Sequence, residues 1–424
     1  MKGNAHPWGS AATVALLLVS AAAAALFPGC AGAPPRAGAP DVERRLPPAG
    51  RPFGAPPPAA LRPGVFPPPA LPESLSGRPV RVLLGVGPQQ ELTVEAEAVR
   101  AWNFGGALLG EEKGALTLSA RGEMIRLGQG NVVDSPVDVS SPSGIRIGGR
   151  KVSGRVRVSA RQGQLSAVAV VPLEEYVTAV VSREAPPKFH PEALAALAVA
   201  VRTYVLVAME KPREPTHDVV AGVEDQVFEG VDDVPDVFRK AADSTRGVVL
   251  TWRGLLARVV YHSTCGGRTE NAKDAWGTDV PYLRSVACDD CRDSPAYRWD
   301  CRVTQKEGKR IALSLGVRAE DDLKFQIAGT SSTGRASRIR ISSGGVSRET
   351  AAAAFRRAAG YARVKSLKME IVPVGNGWVF SGQGYGHGVG MCQWGADGMA
   401  RGGKTHLEIL ARYYPETALS RGTP

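Results

Sequence analysis

The stretch "HPEALAALAVAVRTYVLVAME", residues 190–210, restricts the fold more than any other. Pro191 suits the first position of a helix, and Arg202 is the one charge in the interior of that helix. A helix apolar on nearly every side must be covered on most of them, so other elements have to wrap around it. The preceding "PLEEYVTAVVSRE" predicts a second helix, also opened by a proline. In it Leu173, Val177, Val180, Val181 and Glu184 share one face at helical spacing.

The first 79 residues cannot supply that cover. Lys2, the apolar run "AATVALLLVSAAAAALF" and "PGC" have the shape of an export signal ending at a lipid-attachment cysteine, Cys30. Phe27 and Pro28 depart from the usual residues there, so a cleaved secreted protein and an uncleaved anchor stand as alternatives. The expectation is a lipoprotein-type signal over residues 1–30 and an exported chain, membrane-anchored through Cys30 and facing the cell wall or periplasm. Residues 31–79, rich in Pro, Ala, Gly and Arg, read as a semi-rigid spacer.

From residue 80 to 171, alternating runs such as "VRVLLGV", "LTVEAEAV" and "GRVRVSA" between turn residues predict a β-rich part with no catalytic look of its own. Residues 172–417 mix helices and strands. "FRKAADSTRG" and "THLEILARYY" read as helices, "VVLTWRGLLARVVYHSTCGG" as a hairpin and "GWVFSGQGYGHG" as a strand. The predicted fold class is α+β, a β-rich N-terminal part followed by a mixed helix/strand domain. The net charge of +11 suits an anionic partner such as cell-wall polymer or anionic lipid. No basic run is interleaved with aromatics, so nucleic acid is not expected.

Glu184 continues an apolar stripe, and a carboxyl facing a core has its pKa raised, as a general acid at neutral pH requires. The structural alternative is a buried pair with Arg202. The cysteines form a second cluster: His262 and Cys265 in "HSTCGG", Cys288 and Cys291 in "CDDC", then Cys301 and Cys392. One His and three Cys, His262, Cys265, Cys288 and Cys291, suit a structural zinc with Cys392 as the spare. Disulfides are the alternative in an exported protein, and free thiols a third.

Glycine occupies every second position from Gly382 to Gly390. If that stretch is extended, Gln383, Tyr385, His387 and Val389 line one face, and the bare face admits a ligand or a packed neighbour. Gly398, Gly403, Lys404 and Thr405 match a phosphate-loop spacing, but no buried strand precedes them.

Together, "PLEEYVTAVVSREAPPKFHPEALAALAVAVRTYVL", "YHSTCGGRTENAKDAWGTDVPYLRSVACDDC", "GQGYGHGVGMCQWGADGMA" and "HLEILARYYP" resemble the stage II sporulation protein D (SpoIID/LytB) family over roughly residues 80–417. The resemblance implies a bacterial cell-wall protein. Sporulation members are lytic transglycosylases that cut peptide-free glycan strands, and amidase-enhancer members are named for stimulating an N-acetylmuramoyl-L-alanine amidase. The family's catalytic glutamate falls on Glu184. Arg202, Gln226, Gln383, Tyr385 and His387 become the expected glycan contacts, and some members carry zinc near the Cys-Gly-Gly block. Phe228 stands where members commonly have Tyr, and Cys392 and Trp394 where they have Ser and Tyr. The implied activity cleaves the bond between N-acetylmuramic acid and N-acetylglucosamine to leave 1,6-anhydro ends. A non-catalytic module that stimulates an amidase is the alternative.

Overall fold

The computed structural model describes residues 77–212, 214–222 and 225–421. The expected signal, Cys30 and all but the end of the spacer lie outside them. The architecture is α+β, strand-rich at the N-terminal side and mixed thereafter.

The strands between Val80 and Val171 join one mostly antiparallel sheet. Val80–Gln89, Gln164–Val171, Arg155–Arg161, Val137–Ser140, Glu91–Asn103 and Leu108–Arg121 lie side by side in that order. Alternation decides which face is core: Val156, Val158 and Ala160 are buried while Arg155 and Arg161 are exposed. A short strand, Val219–Ala221, adds in parallel to the Val80 edge. The buried carboxylate of Asp218 fixes it there, accepting from Arg78 and Arg81 at 2.7 Å each.

Three helices come next, α1 (Leu173–Glu184), α2 (Pro191–Glu210) and α3 (Asp236–Ser244). The expected hairpin is shortened to Val248–Trp252 and Leu255–Leu256. It turns at Arg253 and Gly254, both at positive φ, the backbone a tight two-residue hairpin needs. The chain then runs on as Tyr261–His262, which pairs in parallel with Met391–Cys392 far downstream. After the short α4 (Ala272–Trp276), residues between Trp299 and Phe380 build a second hydrophobic core. It contains α5 (Gln305–Ser314), α6 (Ala352–Ala359) and two three-stranded sheets. Phe325, Phe355, Trp378 and Phe380 pack edge-on and tilted at its centre. Finally α7 (Gln393–Arg401) and α8 (His406–Tyr413) return to the first core. The phosphate-loop spacing is absorbed here: Gly398 lies within α7, and Lys404 pairs with Glu408 in the capping turn of α8.

Helix α2 is the axle of the first core, covered by α1, α3, α7, α8 and Val248–Trp252. Its interior charge is neutralised inside. Arg202 Nε and Nη2 donate to both carboxylate oxygens of Glu174 at 2.8 and 2.6 Å, and the guanidinium also reaches the carbonyls of Ala242 and Val248. Arg202 therefore belongs to Glu174 and the core, and is neither a partner of Glu184 nor a glycan contact. Removing one member of such a pair strands the other, so Glu174→Ala should destabilise the fold by about 3–5 kcal/mol. Denaturant unfolding checks this; a loss below about 1 kcal/mol would show that the pair is dispensable.

Candidate functional site

Glu184 is the last residue of α1. Ala185 leaves the helix in an extended conformation, and Pro186 and Pro187 prevent its continuation. The carboxyl-bearing residue is only 6% exposed. Its oxygens accept from two neutral donors, the Val227 amide at 3.4 Å and Gln393 Nε2 at 3.3 Å. Burial dominates these weak bonds and pushes its pKa well above the usual carboxylate range.

The Val227 amide is held by its neighbour. Gln226 is fully buried, accepts from Tyr176 OH at 3.0 Å and donates to Tyr261 OH at 2.9 Å. Both ends of its amide are thus used within the protein, so Gln226 supports the wall beside Glu184 rather than facing a glycan. Phe228 stacks on Tyr176 with ring centroids 5.6 Å apart.

Helix α7 grips the other side. Gln393, in its first turn, reaches Glu184; Asp397, one turn on, accepts from the His190 amide at 2.6 Å. Arg401 donates to the Lys188 carbonyl. Trp394 packs edge-on against Phe189, and the Lys188 ammonium lies 5.7 Å from its ring. Sequence reasoning misses Gln393 and the Val227 amide. The available signal is adjacency, since Gln393 directly succeeds the last cysteine of the glycine-rich block.

The glycine block is not a bare track. The regular strand ends at Gln383, and Gly384, Gly386, Gly388 and Gly390 all have positive φ, so the residues between them do not form one extended rail. The glycines are covered by the protein itself. A Cβ on Gly384 would lie 2.5 Å from the Thr264 carbonyl, on Gly386 2.8 Å from the His262 side chain, and on Gly388 2.7 Å from the Arg335 guanidinium. His387 is buried: its Nδ1 accepts from the Val389 amide, and its Nε2 faces the Tyr261 carbonyl, each at 3.0 Å. Tyr385 is half-buried and bridges Thr264 through the backbone; Gln383 lies opposite Arg298 in a second-core sheet. The expected groove with Gln383, Tyr385 and His387 along it is thus replaced by a packed seam. Gly386→Ala should lower stability by roughly 1–3 kcal/mol through overpacking, with added strain at φ +111°. A melting temperature equal to wild type would contradict the packed seam.

The cysteine cluster is real, but its fourth member differs from expectation. Cys265, Cys288, Cys291 and Cys392 are all buried, and their sulfurs lie within 4.8 Å of one another, Cys265 and Cys291 at 3.6 Å. Zinc–sulfur bonds near 2.3 Å place tetrahedral sulfurs roughly 3.8 Å apart, so four thiolates here fit a divalent metal. His262 is not among them: its Nδ1 bonds the Val389 carbonyl at 3.0 Å, and Nε2 has no partner among the described residues. The parallel pairing of Tyr261–His262 with Met391–Cys392 explains the exchange, because it carries Cys392 to the Cys265 segment. There the Cys265 and Gly395 amides donate to Cys392 Sγ at 3.2 and 3.3 Å. Cys392→Ser should abolish tight metal binding while His262→Gln keeps it, read by metal content per chain; the reverse ranking would restore the histidine as ligand.

A family model described as stage II sporulation protein matches residues 161–252, a span that holds Glu184 and ends before the first clustered cysteine. The chain is 32% identical over 243 residues to an uncharacterized protein of Brachyspira hyodysenteriae, covering 57% of this chain and 65% of that one. It is 31% identical over 271 residues to the stage II sporulation protein D of Bacillus subtilis, covering 59% of this chain and 75% of the relative. With the amidase enhancer of Bacillus subtilis it shares 28% identity over 290 residues, 57% of this chain but 40% of that longer protein. On this likeness, the chain belongs to the stage II sporulation protein D family.

Proposed function

We propose that this chain is an exported cell-wall protein that cleaves peptidoglycan glycan strands as a lytic transglycosylase, with Glu184 as its acid and base. The observation that carries the reading is the state of Glu184: a buried carboxyl at a helix end, held by neutral donors, with its pKa raised by desolvation. One carboxyl is enough for this reaction, in which no water enters. Protonated Glu184 donates to the glycosidic oxygen as the bond from C1 of N-acetylmuramic acid breaks. The 6-hydroxyl oxygen of the same sugar then bonds to C1, and its proton passes to the Glu184 carboxylate. The product is a 1,6-anhydro end, and the acid is regenerated. Trp394 and Lys188, beside the block that carries Gln393, offer an aromatic face and a cation suited to an anionic glycan.

The four-thiol centre would hold zinc as a closed structural site, with no open position for chemistry. Anchoring through Cys30 at a membrane facing the wall completes the proposed setting.

A second reading, stimulation of an amidase without cleavage, is favoured by the near-complete burial of Glu184 and by the name of one relative. The product assay separates the two. On purified peptide-free glycan strands the wild type should release 1,6-anhydro products, and Glu184→Gln should release none while melting as a folded protein. Absence of such products from the wild type, with amidase turnover raised on its addition, would favour the second reading.

The raised pKa also fixes a sign for stability. The folded state holds the Glu184 proton above the ordinary glutamate value of about 4.3, whereas the unfolded state releases it there. The wild type therefore loses stability as pH rises from that value to the folded pKa. The melting temperature of Glu184→Gln relative to wild type should rise across the same window, and a flat difference would contradict a raised pKa.

A further inference from the structure

The second core touches the thiol centre through two cations. Arg335 closes the turn between the strands Lys324–Thr330 and Ala336–Ser343 and is 4% exposed. Its Nη2 donates to the carbonyls of Cys265 and Arg268 at 2.9 and 2.8 Å. Lys368, just before the strand Met369–Pro373, donates to the Gly266 carbonyl at 2.7 Å. Three of the four carbonyls in the segment 265–268 are thus held by positive charge from the other core. The same turn is pinned by Ser331 and Thr333, which donate to Glu270 at 2.6 and 2.7 Å. Gly266, at φ +73°, leaves no room for a side chain: a Cβ there would lie 2.8 Å from Gln383 Cβ.

Burying a guanidinium is costly unless it is compensated. Glu270 is 3.9 Å from Arg335, beyond hydrogen-bond reach, and Arg335 Nε has no partner among the described residues. One carboxylate at that distance leaves the buried guanidinium only partly balanced, with the half-buried Lys368 ammonium beside it. A divalent metal bound by four thiolates carries a net charge of about −2, which is the complement. We propose that Arg335 and Lys368 are positioning residues of the four-thiol centre, a cationic clamp that holds the Cys265–Arg268 segment and offsets the negative charge of a metal tetrathiolate. The clamp rests on the metal reading of the cysteines. It also orients the segment: with its carbonyls turned to the cations, the Cys265 amide points at Cys392 Sγ.

The test uses the full chain loaded with zinc, and separately with cobalt. Arg335→Met and Lys368→Met should each speed zinc release to a chromogenic chelator by about tenfold or more, the range seen when outer partners of a metal site are lost. Arg335→Lys, which keeps the charge, should recover part of the loss. Each methionine variant should also shift the thiolate-to-cobalt absorption bands and lower the melting temperature of the loaded protein more than that of the metal-free protein. Unchanged release, with equal melting losses in both forms, would overturn the clamp and leave two structural docking residues. Failure of the wild type to bind zinc or cobalt would overturn the metal reading and the clamp together.

Discussion

Everything in the first core depends on covering α2 from all sides. Its apolar circumference sets where α1, α3, α7 and α8 must lie, and its single interior charge obliges α1 to supply Glu174. With Glu174 near the start of α1 committed to Arg202, Glu184 at the other end of the same helix has no basic hydrogen-bond partner among the described residues. The charge balance of α1 is thus divided between its ends. One carboxyl is paired with Arg202, while the other is desolvated and favours its proton. Two glutamates of one helix thus sit in opposite surroundings, one beside the arginine of a neighbouring helix and the other beside neutral donors.

Helix α7 joins Glu184 to the cysteines. Cys392 caps that helix through its sulfur, the next residue reaches Glu184, and Asp397 fixes the loop that comes after Glu184. A displacement of the thiol cluster would pass into the carboxyl pocket through one residue of rigid helix start. The second core adds a further link, since its cations sit on the segment that carries Cys265. Two hydrophobic cores that share no side chains are thereby connected through a small polar junction.

Much of this is legible in the sequence, and the failures have physical reasons. The alternating runs and the two proline-opened helices are readable because local periodicity reports burial directly. Glu184 stands out because a charge interrupts an apolar stripe. The choice of Cys392 over His262 is not readable, because it arises from a parallel pairing between segments more than a hundred residues apart. The glycine block misleads for a related reason. Spacing by two suggests a strand, but alternating positive φ defeats the face assignment, and the packing partners come from residues 260–265 and Arg335. The second core is only partly readable: the strand at Gly377–Gln383 is, but Phe325, Phe355, Trp378 and Phe380 come from separate strands and a helix that meet only in three dimensions.

The strands at either end of the second core, Arg298–Thr304 and Gly377–Gln383, are antiparallel partners, with Arg298 opposite Gln383. This bears on assembly. Closing a flexible loop of roughly a hundred residues between Cys291 and Cys392 would cost about 4 kcal/mol of chain entropy. Once the second core has folded, its two ends emerge side by side, and the loop left to close is nearer roughly sixteen residues, about 1.5 kcal/mol cheaper. The order of emergence during synthesis also places three thiols ahead of this unit and the fourth behind it. Folding of the second core therefore brings the last thiol closer to the other three and lessens the chain entropy lost when the cluster assembles.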